Sequence, residues 1–159
     1  EGVEQLNAVI RDMRGYIAML EATQATAQPE LSRDLAFAVR QIVPVGVDTV
    51  VNIAAAALQE IRAREAQDLL YIAREARSNA VRHGDPRKIA VDLRQTAAET
   101  ALTIQDNGTG FNPDAVRIGL GTVTMRTRAE RIGGILTVTG IPGMGTTVRV
   151  SFPRRVDDD

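Results

Sequence analysis

Asp106-Asn107-Gly108-Thr109-Gly110-Phe111 follows the alternating segment Thr100-Ala101-Leu102-Thr103-Ile104-Gln105 and opens onto a glycine-rich connection. An extended run that ends in a carboxylate and then two glycines one residue apart suits close approach of the main chain to a flat ligand. Glycine has no Cβ and reaches positive φ at little cost, so Gly108 and Gly110 let backbone lie against a base or phosphate where a side chain would collide. Asp106 can accept a hydrogen bond from an exocyclic amine such as that of adenine. Asp-Asn-Gly is equally strong turn chemistry, and the hexapeptide alone leaves a plain β-turn open.

Outward from this stretch, Lys88–Arg94 and Thr100–Asp106 alternate as two strands of a hairpin joined by Gln95–Glu99. Upstream, Arg64 to His83 carries the longest helical pattern, with Leu69, Ile72, Ala73, Ala76 and Ala80 on the buried stripe. Glu75, Asn79 and His83, spaced by four, share a neighbouring face of that helix. Downstream, Thr122 to Ile132 reads as a helix stopped by Gly133-Gly134. Ile135–Gly140 and Thr146–Phe152 form a second hairpin across Ile141–Gly145. Nearer the start, Pro29 suits a first helical position, with Leu31, Leu35, Ala38, Val39 and Ile42 on one face until Pro44. Val47–Ile53 is β-branched and reads as a strand, and Ala54–Ala57 fits neither pattern.

Val3, Leu6, Ile10, Met13, Ile17 and Leu20 recur with the a/d spacing of a helical seam. So narrow a stripe wants a partner helix, although an amphipathic helix lying on its own domain has the same pattern. The chain opens on Glu1 without a signal segment and reads as a piece of something longer.

The composition, 44% hydrophobic and 25% charged, is that of a soluble globular domain, and no apolar run is long enough for a membrane span. A net charge of -1 and few aromatics argue against a nucleic-acid partner. With no Cys and one His, thiolate metal sites are excluded; any metal would be held mainly by oxygen, which favours magnesium. Lys88 is the only lysine, and it stands in neither a Walker A loop nor a protein-kinase strand. A nucleotide site here must be of another kind.

Four separated signals stand in one order: Glu75-x-x-x-Asn79 on a helix, Asp106-x-Gly108-x-Gly110, Gly119-x-Gly121 before a helix, and Gly143-x-Gly145-Thr146-Thr147 before a strand. This order resembles the N, G1 and G2 boxes of the GHKL (Bergerat-fold) ATPases. Arg77-Ser78-Asn79-Ala80-Val81-Arg82-His83 and the run Met125 to Gly134 look like the catalytic domain of two-component sensor histidine kinases of the NarL-partner group. Ile10-Arg11-Asp12-Met13-Arg14-Gly15 is similar to the second helix of that group's dimerisation and phosphotransfer domain.

The resemblance implies an α/β (α+β) two-layer sandwich, a mixed sheet packed on about three helices and preceded by the heptad helix. It divides the chain into the partial second helix of a dimerisation domain at 1–23, a linker at 24–29, a catalytic ATP-binding domain at 30–153 and a disordered tail at 154–159. It also implies ATP and magnesium as cofactors, with the Asn79 amide oxygen on the metal and Glu75 polarising the nucleophile. Asp106 would then read the adenine amine, while Gly108 and Gly110 pass beneath the base. Gly119, Gly121 and Thr122 would supply a lid and phosphate-binding amides, and Thr146 with Thr147 would close the base from the other side. Arg82 and His83 either reach phosphate or are exposed helix-end cations. The implied partners are a second copy through the N-terminal helix and a NarL-type response regulator, in the cytoplasm, without nucleic acid or membrane contact by this piece.

Two departures stand out. Thr122 occupies a place where the family often has Leu, and no His precedes residue 83 to serve as phosphoacceptor. The competing expectations are another GHKL member such as an anti-sigma serine kinase, and a nucleotide-responsive module without catalysis.

Overall fold

Ile89, Val91 and Leu93 on one strand and Leu102 and Ile104 on the next are all buried, while the residues between them are more open. Alternation of this kind makes a sheet with one covered face. In the computed structural model, which describes residues 2–21, 28–41, 43–112 and 119–154, the elements follow as α1 (Gly2–Glu21), α2 (Gln28–Arg40), β1 (Asp48–Ile53), α3 (Ala55–Gln59) and α4 (Ala63–Asn79). A π-helical turn, Ala80–Gly84, leads on to β2 (Lys88–Gln95), β3 (Glu99–Asp106), α5 (Leu120–Arg131), β4 (Ile135–Ile141) and β5 (Gly145–Pro153).

The described strands form one mixed sheet in the order β1-β2-β3-β5-β4. β1 lies parallel to β2, and the other neighbours are antiparallel. Parallel strands need a crossover, and α3 with α4 supplies it between β1 and β2. Both expected hairpins, β2–β3 and β4–β5, are present. The two-layer expectation holds: Leu31 and Leu35 from α2, Leu69 and Ile72 from α4, and Met125 and Ala129 from α5 share one buried cluster with the covered face of the sheet. Burying a side chain of this size is worth about 1.5–3 kcal/mol, so this interface dominates the stability of the domain.

Local chemistry sets the helix ends. α5 stops in a Schellman arrangement: Gly133 takes φ +72°, Gly134 N–H donates to Ala129 O at 2.8 Å, and Gly133 N–H donates to Glu130 O at 3.0 Å. α5 begins at Leu120 with Gly119 as its N-cap, so it starts before Thr122 and takes Gly121 into its first turn. α2 begins at Gln28, ahead of Pro29. Ala54–Ala57, ambiguous by pattern, leads into the short α3.

α1 keeps Val3, Leu6, Ile10 and Met13 exposed, so the first half of the heptad stripe lies uncovered. Residues 22–27, which hold most of the expected linker, 155–159 of the tail, and Ile42 lie outside the described residues. Among the described residues no helix is long and apolar enough to cross a membrane.

Candidate functional site

The end of β3 is where the chain closes on itself most tightly. Asp106 pairs with Thr146 across β3 and β5 and is buried. Its Oδ1 accepts the Gly108 N–H at 2.8 Å. Burial pushes the Asp106 carboxyl above its ordinary value, and backbone hydrogen bonds from Gly108 and Thr146 pull the other way. A carboxylate has about four acceptor positions, so two backbone donors leave capacity for a further amine.

The glycines after Asp106 are required first by the protein's own backbone. A β-carbon on Gly108 would run into the carbonyl of Gly84, and one on Gly110, where φ is +65°, into that of Ile141. Gly145, at φ +111°, leaves no room for a β-carbon beside the Asp106 carbonyl. Thr109 N–H donates to Gly84 O at 2.7 Å, and Gly143 N–H donates to Thr109 O at 2.7 Å. The DNGTGF run is thus a strap joining the end of the α4 region to the β4–β5 turn. Asn107, which has no place among the expected ligand groups, accepts both the Arg87 and Lys88 N–H groups on Oδ1, at 2.9 and 2.8 Å, and fixes the start of β2. This is turn chemistry serving an anchored loop.

The chain end of α4 faces the same region. Glu75 is partly buried and Asn79 is the last residue of α4. Arg82 Nη2 donates to Asn79 Oδ1 at 3.2 Å and stands 3.7 Å from Glu75 Oε1. Beyond Asn79 the helix widens into the π turn, which a run of apolar positions at helical spacing could not reveal. Four residues span less than one turn of a π-helix, so His83 departs from the line of Glu75 and Asn79. Its carbonyl accepts from the Thr109 hydroxyl at 3.3 Å, and the residue is exposed. Asp85, at φ +45°, ends the turn.

From the third side comes α5. Gly121 packs on Glu75 so closely that a β-carbon there would overlap the carboxylate. Thr122 is half-buried in the first turn, and Gly119 is exposed. Thr146 and Thr147 are half-buried on β5, Thr147 opposite Gln105. Glu75, Asn79, Arg82 and Gly121 thus form one group at the end of α4, Asp106, Gly108 and Thr146 a second at the end of β3 with Thr147 a residue further along β5, and the π turn, whose Gly84 meets both Asp106 and Gly108, links the two. The stretch 113–118 between Gly110 and Gly119 lies outside the described residues.

Two contributors gave no signal in the sequence. Arg77 donates from Nη1 to the carbonyls of Ala38 and Gln41, each at 2.7 Å, closing the end of α2 from 36 or more positions away. Burial, and then the charge of Arg74, lowers the Arg77 guanidinium from its ordinary value. Asp68, buried on α4, takes Arg128 of α5 at 3.2 Å and Arg131 at 3.7 Å, and Arg128 lies over the Tyr71 ring at 4.0 Å.

With this geometry in view, residues 64–156 match the family described as histidine kinase-, DNA gyrase B- and HSP90-like ATPase. The chain belongs to this ATPase family. Among relatives, it is 38% identical over 92 residues to the sensor protein VraS of Staphylococcus haemolyticus, covering 57% of this chain and 26% of that protein. It is 38% identical over 93 residues to the nitrate/nitrite sensor protein NarX of Escherichia coli K12, covering 58% of this chain and 16% of that one. The chain thus spans about a quarter or less of these relatives. The histidine kinase domain of the Erythrobacter litoralis EL346 blue-light activated kinase superposes with a TM-score of 0.68 at 20% identity, covering 87% of this chain and 69% of that one. The mycobacterial sensor histidine kinase MprB gives 0.54 at 19% identity, over 79% and 92%. These likenesses establish the fold, and the family establishes ATP as the class of ligand.

Proposed function

We propose that this chain is the catalytic, ATP-binding part of a two-component sensor histidine kinase, serving transfer of the ATP γ-phosphate to a histidine outside this chain. The observation that carries the proposal is the pair of groups joined by the π turn, Glu75 with Gly121 and Asn79 with Arg82 on one side and Asp106 with Gly108 and Thr146 on the other. The likeness to two sensor proteins supports the kinase reading over an anti-sigma serine kinase. A module without catalysis has less support, because Glu75 is in place beside Gly121 and Asn79 stands one turn further along α4.

In this reading Asp106 accepts the adenine amine, Gly108 and Gly110 back the base, and Thr146 and Thr147 border it from β5. Gly119, Gly121 and Thr122 present the first amides of α5 to phosphate, where unpaired N–H groups and the helix dipole favour an anion. Arg82, bonded to Asn79, is placed to meet phosphate, and exposed His83 stands beside it. Glu75 holds and orients the attacking group.

The residues present fit magnesium. The described residues contain no cluster of three or more His, Cys, Asp or Glu, and Asn79 Oδ1 would be the protein oxygen that holds a hard cation beside phosphate. That oxygen already faces a cationic group, Arg82. When bound, the ion would offset the charge of the phosphates.

The proposed division of the chain is a partial dimerisation helix at 1–23, a linker at 24–29, the catalytic domain at 30–153 and a tail at 154–159. A second copy pairs through α1 in the whole protein, and a NarL-type response regulator receives the phosphoryl group in the cytoplasm. Calorimetry with ATP and magnesium tests the site. Asp106→Asn puts a donor where the adenine amine needs an acceptor, a loss of about 1–3 kcal/mol, roughly fivefold to 150-fold in affinity. Equal affinity for the variant would refute this placement of the base.

A further inference from the structure

α4 and α5 run antiparallel in a fixed register, and one buried charge cluster marks it. Asp68 on α4 meets Arg128 on α5, and seven residues further along α4 Glu75 meets Gly121, seven residues back along α5. The Asp68 side chain is only 5% exposed, yet it holds Arg128 at 3.2 Å and Arg131 at 3.7 Å. Arg128 is held from a second direction by the Tyr71 ring, one turn on from Asp68. A slip that carried both guanidiniums off the Asp68 carboxylate would leave it buried without a partner, and a one-turn slip that set Arg131 in the place of Arg128 would take Arg128 off the Tyr71 ring.

The register matters at the other end of the pair. A slip of α5 by one turn, about 5.4 Å, would bring Thr124 or Met125 toward Glu75 in place of Gly121. Even the β-carbon that such a residue carries would overlap the Glu75 carboxylate at the position Gly121 now occupies. Along its axis α5 is otherwise held by the short link through Gly133 and Gly134 to β4, and of its residues only Met125 and Ala129 are buried, both apolar. Apolar contacts hold two helices together without strongly selecting register, whereas a buried ion pair selects it.

We propose that Asp68, acting through Arg128, is a positioning residue for the nucleotide site: it sets the register of α5 on α4 and so places Gly121, and the amides of the first turn, against Glu75. The inference rests on the nucleotide site described above. It implies that affinity for nucleotide depends on a pair remote from Asp106 and from Asn79.

The test uses Asp68→Asn, which keeps the shape of the side chain and removes its charge, with Arg128→Lys as a second variant that keeps charge but loses the fork and the flat stack on Tyr71. Three readouts are taken well below each melting temperature. In the nucleotide-free protein, the amide resonance of Gly121 should shift in both variants. The Kd for ADP with magnesium should rise about tenfold in Asp68→Asn. The effect of Asp68→Asn on Kd should shrink in a Gly121→Ala background, because both substitutions act on one contact. An unmoved Gly121 resonance, or a lowered melting temperature with unchanged Kd, would show that the pair only holds the fold together and overturns the proposal. Full additivity with Gly121→Ala overturns it as well. Failure of the unaltered protein to bind ADP would instead refute the nucleotide site, and the Gly121 resonance would still decide the register.

Discussion

Gly121 of α5 and Glu75 of α4 are in van der Waals contact through an absent side chain: the glycine's missing β-carbon is the space that the Glu75 carboxylate fills. The overlapping atom is the far end of a flexible side chain, so Gly121→Ala can be accommodated by turning Glu75 aside. Replacing Gly by Ala within a helix gains about 1 kcal/mol of propensity. The variant should therefore melt within a few degrees of the unaltered protein yet bind nucleotide more weakly. Thermal denaturation beside calorimetry separates the two effects, and an unchanged affinity would detach this contact from the site.

Gly108 presents the opposite case. Its missing β-carbon faces the Gly84 carbonyl, a backbone atom fixed by the Thr109 N–H. Backbone cannot turn aside, so Gly108→Ala should destabilise the fold by about 2 kcal/mol or more even without ligand. Denaturant titration measures it. A loss confined to nucleotide affinity would mean that the glycine answers to the base alone.

Asp106 makes stability depend on pH in an identifiable direction. Its carboxyl is raised above the usual 3.8, chiefly by burial. Above the unfolded value the unfolded chain has lost this proton while the folded chain retains part of it, so unfolding releases protons. The contribution of Asp106 to stability is therefore complete below about 3.8 and falls as pH rises through the folded value. Relative to Asp106→Asn, the unaltered protein should lose stability across that window as pH increases. A difference in melting temperature that is flat from pH 3 to 7, or that grows in favour of the unaltered protein, contradicts the raised value.

These cases show what a sequence can and cannot disclose about this fold. Alternation in Lys88–Arg94 and Thr100–Asp106 was enough for the β2–β3 hairpin, because period-two burial is a local property of a one-sided sheet. The stop at Gly133-Gly134 was equally local, a left-handed residue followed by backbone bonds within one turn. The π turn at Ala80–Gly84 was not legible: the apolar positions leading into it keep helical spacing, and the turn ends against Gly108 and Thr109, which are distant in sequence. The Asp68–Arg128 pair joins residues 60 positions apart, each of which reads alone as a solvated helix charge. The order and spacing of the boxes pointed to the ATPase family, but the sequence could not say that Gly108, Gly110 and Gly145 each meet backbone first.

Arg77 tests one of the contacts that only the fold brings together. It closes the end of α2 with two hydrogen bonds at 2.7 Å to Ala38 and Gln41 carbonyls. Hydrogen bonds to a charged donor are worth about 1.5–3 kcal/mol each when buried, and these are partly exposed. Arg77→Met should cost about 2 kcal/mol in denaturant titration and leave the nucleotide Kd within about twofold. A large change in Kd with little loss of stability would place Arg77 in the site itself.

The last prediction concerns the phosphoacceptor. His83 is the only histidine in the chain, and it lies on the π turn directly after Asn79, among the residues proposed to bind nucleotide. Its carbonyl is tied to the Thr109 hydroxyl, so the backbone that carries it belongs to the proposed nucleotide site and not to a separate helix that could present it in line with the γ-phosphate. Positioning of the attacking group supplies most of phosphoryl-transfer catalysis. The chain should bind ATP, accumulate no phosphohistidine, and phosphorylate a separately supplied acceptor helix only poorly. The exposed stripe of Val3, Leu6, Ile10 and Met13 gives α1 a surface for association, but fewer than three heptads should yield only a weak, concentration-dependent dimer. Incubation with radiolabelled ATP decides the chemistry: acid-labile label on this chain, lost in His83→Gln, would make His83 the acceptor and move the nucleotide's γ-phosphate to the π turn.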